Sequence, residues 1–221
     1  MPIFWKMSDA LLQHIRCKHL PLKSFAWHYK AEKAGESAMM PELSMHIMDI
    51  MENGIAAGAW HLDLFIDIDT QNDTITITVV DNGKGMDTEM IGKAMDPLFS
   101  TKKGKGWGLG IPLFIQTAEA CDGGFSIMSE KGSYTRVTVT MKLSHIDRPP
   151  LGNMTDTIIS LIVGHPEIDL YVMVKKGKDK YEFDTRIVRE IMGDIDLSTP
   201  QVLGALEEDI ESGLAELQLN D

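Results

Sequence analysis

Residues 79–90 read VVDNGKGMDTEM, and they pose a choice that only the flanking sequence resolves. The stretch begins at the apolar end of an alternating run and turns at Asp81, Asn82 and Gly83. Asn-Gly and Asp-Gly pairs are among the commonest hairpin signals, so an ordinary tight turn is one interpretation. The other is a polar loop around a partly buried carboxylate, which needs donors from its own turn or from a ligand.

Regular hydrophobic periodicity surrounds this loop. Between Pro41 and Gly58, apolar residues recur at spacings of three and four residues, which predicts a helix. In residues 61–70 and 74–81, apolar and polar residues alternate strictly, which predicts two strands. The elements predicted next are a short helix (88–95), a glycine-rich loop (96–110), a helix (111–121) and a β-hairpin (123–143). This order predicts an α+β fold with helices packed on one face of a mixed, mostly antiparallel sheet.

The two ends of the chain differ from this middle part. Residues 144–153 contain two adjacent prolines and predict a linker, and residues 154–221 predict a small C-terminal α/β unit. The last predicted helix carries an apolar stripe that needs a partner, either the main domain or another subunit. Residues 1–40 show little periodicity and predict an N-terminal extension, either disordered or outside the true start of the protein.

Composition narrows the function classes. The net charge of −12 argues against a general nucleic-acid binder, which needs a basic face. Two cysteines suit a reducing compartment, and no apolar stretch reaches the length of a membrane span, so the sequence predicts a cytoplasmic, soluble protein without a membrane partner. His14, Cys17 and His19 are spaced too tightly for a usual zinc finger.

Polar residues with potential chemistry occur on the first predicted helix and in the glycine-rich loop. His46, Asp49 and Asn53 are separated by three and four, so they share one face, although solvent exposure explains each of them alone equally well. Glycines alternate at 106, 108 and 110 just before a helix, where backbone N–H groups can face phosphates. This loop has neither the spacing of a P-loop nor the preceding strand of a dinucleotide fingerprint, so alone it is weak evidence.

Four segments, in order, resemble the ATP-binding domain shared by gyrases, heat-shock chaperones, histidine kinases and mismatch-repair ATPases, the GHKL or Bergerat-fold superfamily. DIMENGIAAGA is similar to its N-box, DNGKGM to its first glycine box, FSTKKGKGWGLGI to its lid and second glycine box, and GGFSIMSEKGSYT to the closing segment of a histidine-kinase catalytic domain. The resemblance implies a two-layer α/β sandwich over residues 41–143. It also implies ATP and Mg²⁺ as ligands.

The roles implied by the resemblance fall on named positions. Asn53 matches the Mg²⁺-coordinating asparagine, Asp81 the carboxylate that accepts a hydrogen bond from the adenine amino group, and Thr135 a threonine beside the adenine. The implied nucleotide-contacting positions are Asn53, Asp81, Gly83, Gly85, Met86, Lys102, Lys105, Gly106, Gly108, Leu109, Gly110 and Thr135. Asp49 stands where these ATPases usually carry a glutamate as the general base, and its side chain is one methylene shorter.

The resemblance leaves several activities open. The first hypothesis is a stand-alone kinase that passes phosphate to a separate protein, because no histidine here lies in the setting of an autophosphorylated one. The alternatives are an ATP-driven conformational switch, that is, an ATPase without phosphotransfer, and a non-catalytic ATP sensor, which the short Asp49 favours. The expected partners are a protein phospho-acceptor or regulator, and a homodimer is one candidate assembly.

Overall fold

The computed structural model describes residues 42–96, 110–193 and 195–219. The helices in these ranges are α1 (Leu43–Ala56), α2 (Thr88–Met95), α3 (Gly110–Ala120), α4 (Met154–Gly164), α5 (Thr185–Met192) and α6 (Pro200–Glu216). The strands are β1 (His61–Asp69), β2 (Thr74–Asp81), β3 (Gly124–Glu130), β4 (Tyr134–Lys142), β5 (Asp169–Lys176) and β6 (Asp179–Asp184).

The six strands form one mixed sheet in the order β3-β4-β2-β1-β5-β6. Every neighbouring pair is antiparallel except β1 and β5, which run parallel. The alternating sequences of β1 and β2 place every second residue in the core, as period-two patterning requires. The prediction of a mixed, mostly antiparallel sheet is confirmed.

The helices pack against the buried face of this sheet and against one another. In α1 the apolar residues at spacings of three and four, namely Leu43, Ile47, Ile50 and Met51, are all buried. Helix α1 contacts β2, α3 contacts β3 and β4, and α4 lies in contact with both α1 and α6. The fold is therefore α+β, with the helices on the sheet as the periodicity predicts.

The apolar stripe of the last helix has its partner within the chain. Val202, Leu206 and Ile210 are buried, and α6 contacts α4 and β6. The approach is close at Gly213, where a Cβ atom would lie 2.1 Å from the ring of Tyr181. Of the two partners considered from the sequence, the described part of the chain supplies an intramolecular one.

The C-terminal segment also continues the sheet, because β5 pairs with β1 through residues 61–68. Pro150 and Leu151 accept backbone hydrogen bonds from the first turn of α1, each at 2.9 Å, so the stretch before α4 is tied to the start of the fold. The division at residues 143 and 153 stays a prediction. Across the ranges that the structure describes, no helix combines the length and the apolar character of a membrane span.

Candidate functional site

The carboxylate of Asp81 lies at the end of β2, where the chain leaves the sheet. The residue is only 8% exposed, and its Oδ1 accepts a hydrogen bond from Gly83 N–H at 2.9 Å. Burial raises the pKa of this carboxyl, and the Gly83 N–H acts in the opposite direction. The loop that follows leads into α2 and not into a paired strand, so residues 81–83 do not form a hairpin turn. Their turn holds the carboxylate in place.

Glycines surround Asp81 because other residues would not fit there. A Cβ atom on Gly54 of α1 would lie 2.8 Å from Asp81 Cβ, and one on Gly83 would lie 2.9 Å from Asp81 Oδ1. Gly85 has φ +58°, and a Cβ there would lie 2.0 Å from the carbonyl oxygen of Glu130. The helix, the loop and the β3–β4 hairpin therefore meet around one carboxylate with no room for a side chain between them.

A small pocket, with about 30 Å³ of space for water-sized molecules and an opening to solvent, adjoins Asp81. It is lined by Ile50, Asn53, Gly54, Ala57, Asp81, Lys84, Gly85, Met86, Ile111, Thr135 and Val137. Apolar walls with a few convergent polar groups are typical of small-molecule sites. Five residues implied by the resemblance thus lie together, whereas Gly83 supports Asp81 and is not itself part of the lining.

Six lining residues were not predicted. Three of them, Ile50, Gly54 and Ala57, follow one another at spacings of four and three residues along α1 and its C-cap, so the helical period was a usable signal. Of the other three, Lys84 lies in the DNGKGM segment and Ile111 ends the FSTKKGKGWGLGI segment, so both adjoin predicted positions, whereas no sequence pattern places Val137 beside Asp81.

Thr135 is 8% exposed and is the cross-strand partner of Asp81. Its Oγ1 lies 3.0 Å from Ser129 Oγ on β3, a residue that the sequence did not single out. Ser129 Oγ also accepts a hydrogen bond from Met86 N–H at 2.7 Å, and Gly132 N–H donates to the carbonyl oxygen of Lys84 at 2.6 Å. These bonds fasten the loop after Asp81 to the β3–β4 hairpin.

Asp49 faces the first residue of α3. A Cβ atom on Gly110 would lie 2.9 Å from both Cβ and Oδ2 of Asp49, so the carboxylate lies directly against the start of that helix. Burial raises the pKa of Asp49, and the negative charge of Glu52 raises it further. A carboxyl with a raised pKa is better suited to accept a proton near neutral pH than an exposed one.

The three polar residues that share one face of α1 have different surroundings. His46 is fully buried, its ring is stacked on Phe114 at 4.7 Å, and its Nε2 lies 3.2 Å from Thr117 Oγ1. Burial lowers the pKa of His46 to about 4, so the ring is neutral at physiological pH. Of the trio, His46 holds α1 against α3, Asp49 faces Gly110, and Asn53 lines the pocket.

Asn53 is half-buried, and within the described residues its side-chain amide makes no hydrogen bond. Its amide oxygen is a hard ligand of the kind that Mg²⁺ prefers, and Mg²⁺ commonly takes one or two protein ligands together with phosphate oxygens. The position therefore fits the implied metal. Lys102, Lys105, Gly106, Gly108 and Leu109 lie outside the described residues, as do His14, Cys17 and His19.

The fold and the pocket together define a two-layer α/β domain with a buried carboxylate at the end of a strand and an amide-bearing helix beside it. The family model described as "Histidine kinase-, DNA gyrase B-, and HSP90-like ATPase" matches residues 41–145. This match agrees with the GHKL-type ATPase domain that the motifs predicted for this part of the chain. A domain of this family implies ATP binding.

Two named relatives match part of the chain. Sporulation kinase C of Bacillus subtilis (strain 168) is 33% identical over 103 residues, covering 46% of this chain and 24% of that protein. A putative sensor histidine kinase, NtrY-like, of Rickettsia conorii is 30% identical over 82 residues, covering 37% and 14%. The chain thus spans a quarter or less of their length. A solved structure described as the N-terminal domain of a DNA repair protein is 12% identical, with a TM-score of 0.46 over 65% of this chain and 52% of that one.

Proposed function

We propose that the protein binds ATP with Mg²⁺ in the pocket beside Asp81 and transfers the γ-phosphate to an acceptor on a separate protein. The ATPase family of residues 41–145 supports nucleotide binding. The names of the two relatives, both kinases, favour phosphotransfer over other uses of ATP.

In this proposal the base of ATP enters the pocket with its amino group toward Asp81. The carboxylate has one oxygen bonded to Gly83 N–H, which leaves the other to accept from the ligand. Ile50, Met86 and Val137 supply apolar surface on the pocket walls, against which a flat base can pack. The phosphates then extend along α1 toward Asn53, whose amide oxygen would hold Mg²⁺. When bound, that ion neutralises phosphate charge.

The observation that carries the proposal is the contact between Asp49 and Gly110. It places a carboxylate of raised pKa at the start of a helix that directly follows the predicted lid, and one helical turn from Asn53. In the transfer, the acceptor's nucleophilic atom bonds to the γ-phosphorus. The bond from that phosphorus to the β–γ bridging oxygen breaks, ADP leaves, and Asp49 takes the proton of the acceptor.

The acceptor belongs to another protein. His46 lies closest in sequence to Asp49, but it is fully buried against Phe114 and cannot reach a phosphate without unpacking α3. His61, His145 and His165 are partly exposed, and each lies near a carboxylate that competes for its ring. None of them has the sequence context of an autophosphorylated histidine.

Incubation of the full chain with γ-labelled ATP and a cell lysate tests the proposal. We expect label on one or a few proteins, loss of that label with Asp81→Asn, and a decrease of about 10²–10⁴-fold with Asp49→Asn at unchanged ATP affinity. Asp179→Asn removes the same charge from an exposed position at the far edge of the sheet and should change nothing. Equal labelling by Asp49→Asn would refute Asp49 as the base.

A second candidate is an ATP-driven switch that hydrolyses ATP without transferring phosphate. One contact favours it: His165 Nε2, just after α4, lies 3.2 Å from Glu52 Oε1 on α1. Glu52 in turn raises the pKa of Asp49, so the C-terminal segment touches a residue that acts on the candidate base. Release of label as free phosphate in the same experiment would select the switch. Bound ATP with label retained would select a sensor.

A further inference from the structure

Three polar side chains form one row across three adjacent strands beside the pocket. Asp81 on β2 is paired with Thr135 on β4, and Thr135 is paired with Ser129 on β3. Directly opposed residues on one face of a sheet have Cβ atoms about 4.5–5.5 Å apart, so each member of the row reaches the next. Beyond Asp81 the row becomes apolar at Leu62, which marks the polar part as a local feature.

The hydrogen bonds of Ser129 determine where the hydroxyl protons lie. Ser129 Oγ is 2.8 Å from the carbonyl oxygen of Tyr134, 2.7 Å from Met86 N and 3.0 Å from Thr135 Oγ1. A carbonyl oxygen only accepts and a backbone N–H only donates, so the single hydroxyl proton of Ser129 goes to Tyr134. The remaining lone pair of Ser129 can then only accept from the hydroxyl of Thr135.

This arrangement fixes the polarity of the pocket wall. Thr135 donates its one hydroxyl proton to Ser129, so only the lone pairs of its Oγ1 face the pocket. The free oxygen of Asp81 is likewise an acceptor. The polar part of the wall thus presents acceptors side by side, which pair with an amino group and repel a carbonyl oxygen of the ligand.

We propose that Ser129 is a positioning residue that sets the base specificity of the pocket by holding the proton of Thr135 away from the ligand. The inference rests on the proposed binding of ATP at this site. A purine with an amino group at position 6 can donate to Asp81 and Thr135. A purine with a carbonyl group at position 6 instead places its oxygen, an acceptor, against these two acceptors. With Ser129 removed, the Thr135 hydroxyl is free to turn and donate to such a carbonyl.

A merely structural role for Ser129 makes a different prediction. Its bonds to Met86 N and Tyr134 O fasten two backbone segments, and their loss would weaken binding of every nucleotide alike. Selection through Thr135 instead changes the ratio of two affinities, and it requires that Thr135 keep its hydroxyl. A double-mutant cycle between the two residues separates these roles.

The experiment measures the Kd of ATP and of ITP, its 6-carbonyl counterpart, by calorimetry on the full chain. We expect Ser129→Ala to lower the ITP-to-ATP Kd ratio by about 2- to 13-fold, the range of one neutral hydrogen bond. In a Thr135→Val background the same change should leave the ratio unaltered. Ser129→Thr, which keeps the hydroxyl, should restore the wild-type ratio, and Ser126→Ala, an exposed serine on the same strand, should retain it.

Equal losses for ATP and ITP, or a full effect of Ser129→Ala in the Thr135→Val background, would overturn the inference. If the alanine variant does not fold, Ser129→Cys keeps the volume, weakens the donor and takes its place in the cycle with the same expected direction. Asp81→Asn distinguishes a wrong assignment of the pocket from a wrong role for Ser129. Unchanged ATP affinity in that variant refutes the pocket assignment itself, whereas weakened affinity with an unchanged ratio for Ser129→Ala refutes the role of Ser129 alone.

Discussion

Replacement of Asp81 by asparagine should weaken ATP binding and at the same time stabilise the nucleotide-free protein. Asparagine has nearly the same size, and its carbonyl oxygen can keep the 2.9 Å bond from Gly83 N–H. The other carboxylate oxygen becomes an NH₂ group, a donor that faces the amino group of the base. Loss of a hydrogen bond to a charged group is worth about 1.5–3 kcal/mol, which corresponds to about a 10- to 150-fold higher Kd.

The gain in stability follows from burial. Because the folded protein raises the pKa of Asp81, the native state holds its proton more tightly than the unfolded chain does. The free energy of unfolding therefore falls as the pH rises from the ordinary aspartate pKa through the raised one, and above the raised pKa the ionised, buried carboxylate destabilises the fold. Asparagine removes that penalty, so the Tm should rise at pH 7 and the gain should vanish below the ordinary aspartate range.

Calorimetric titration with ATP and thermal unfolding without nucleotide provide the two readouts. Asp179→Asn is the matched control, because it removes one negative charge from an exposed position on the edge strand β6, three strands from β2. It should alter neither affinity nor Tm appreciably. ATP affinity equal to wild type in Asp81→Asn, or a lower Tm without nucleotide, would refute the reasoning from the buried carboxylate.

Two further predictions concern α1. Since the charge of Glu52 raises the pKa of Asp49, Glu52→Gln should lower that pKa and shift the acid limb of the turnover–pH profile to lower pH, and an unmoved limb would contradict Asp49 as the base. Gly54→Ala should weaken ATP binding and lower the free energy of unfolding, because its methyl group overpacks against Asp81. The control is Gly204→Ala, where open space surrounds the glycine and alanine gains about 1 kcal/mol of helix propensity. In denaturant unfolding, Gly54→Ala should be at least about 1 kcal/mol less stable than this control. Equal stability of the two variants would show that α1 does not press on the carboxylate.

Much of the fold was predictable because it depends on local periodicity. Strict alternation in residues 61–69 and 74–81 specifies two strands with one buried face, and the three- and four-residue spacing before Gly58 specifies α1. Asn53 and Asp81 could be selected as candidate site residues because they lie in motifs that occur in a fixed order, and Asp81 directly follows an apolar strand. These signals lie within a few residues of one another in the chain.

The partners of these elements were decided by the tertiary structure alone. Periodicity shows which face of a strand is buried, but it does not say which strand lies beside it. The parallel pairing of β5 with β1 joins residues more than 100 positions apart, and nothing in either strand specifies it. The helical spacing likewise shows that His46, Asp49 and Asn53 lie on one face of α1. Only the packing of α3 and the sheet against α1 gives the three residues different surroundings.

Ser129 shows the limit most clearly. In the sequence it is one serine in a predicted strand, with nothing to distinguish it from Ser126, three positions earlier on the same strand. Its contacts with Met86, Tyr134 and Thr135 arise because β3 pairs with β4 and the loop after β2 lies against that hairpin. The sequence alone thus determined that the chain carries a buried carboxylate loop and a helix with an amide beside it. The packing of the sheet decided which hydroxyls surround that carboxylate and which way their protons point.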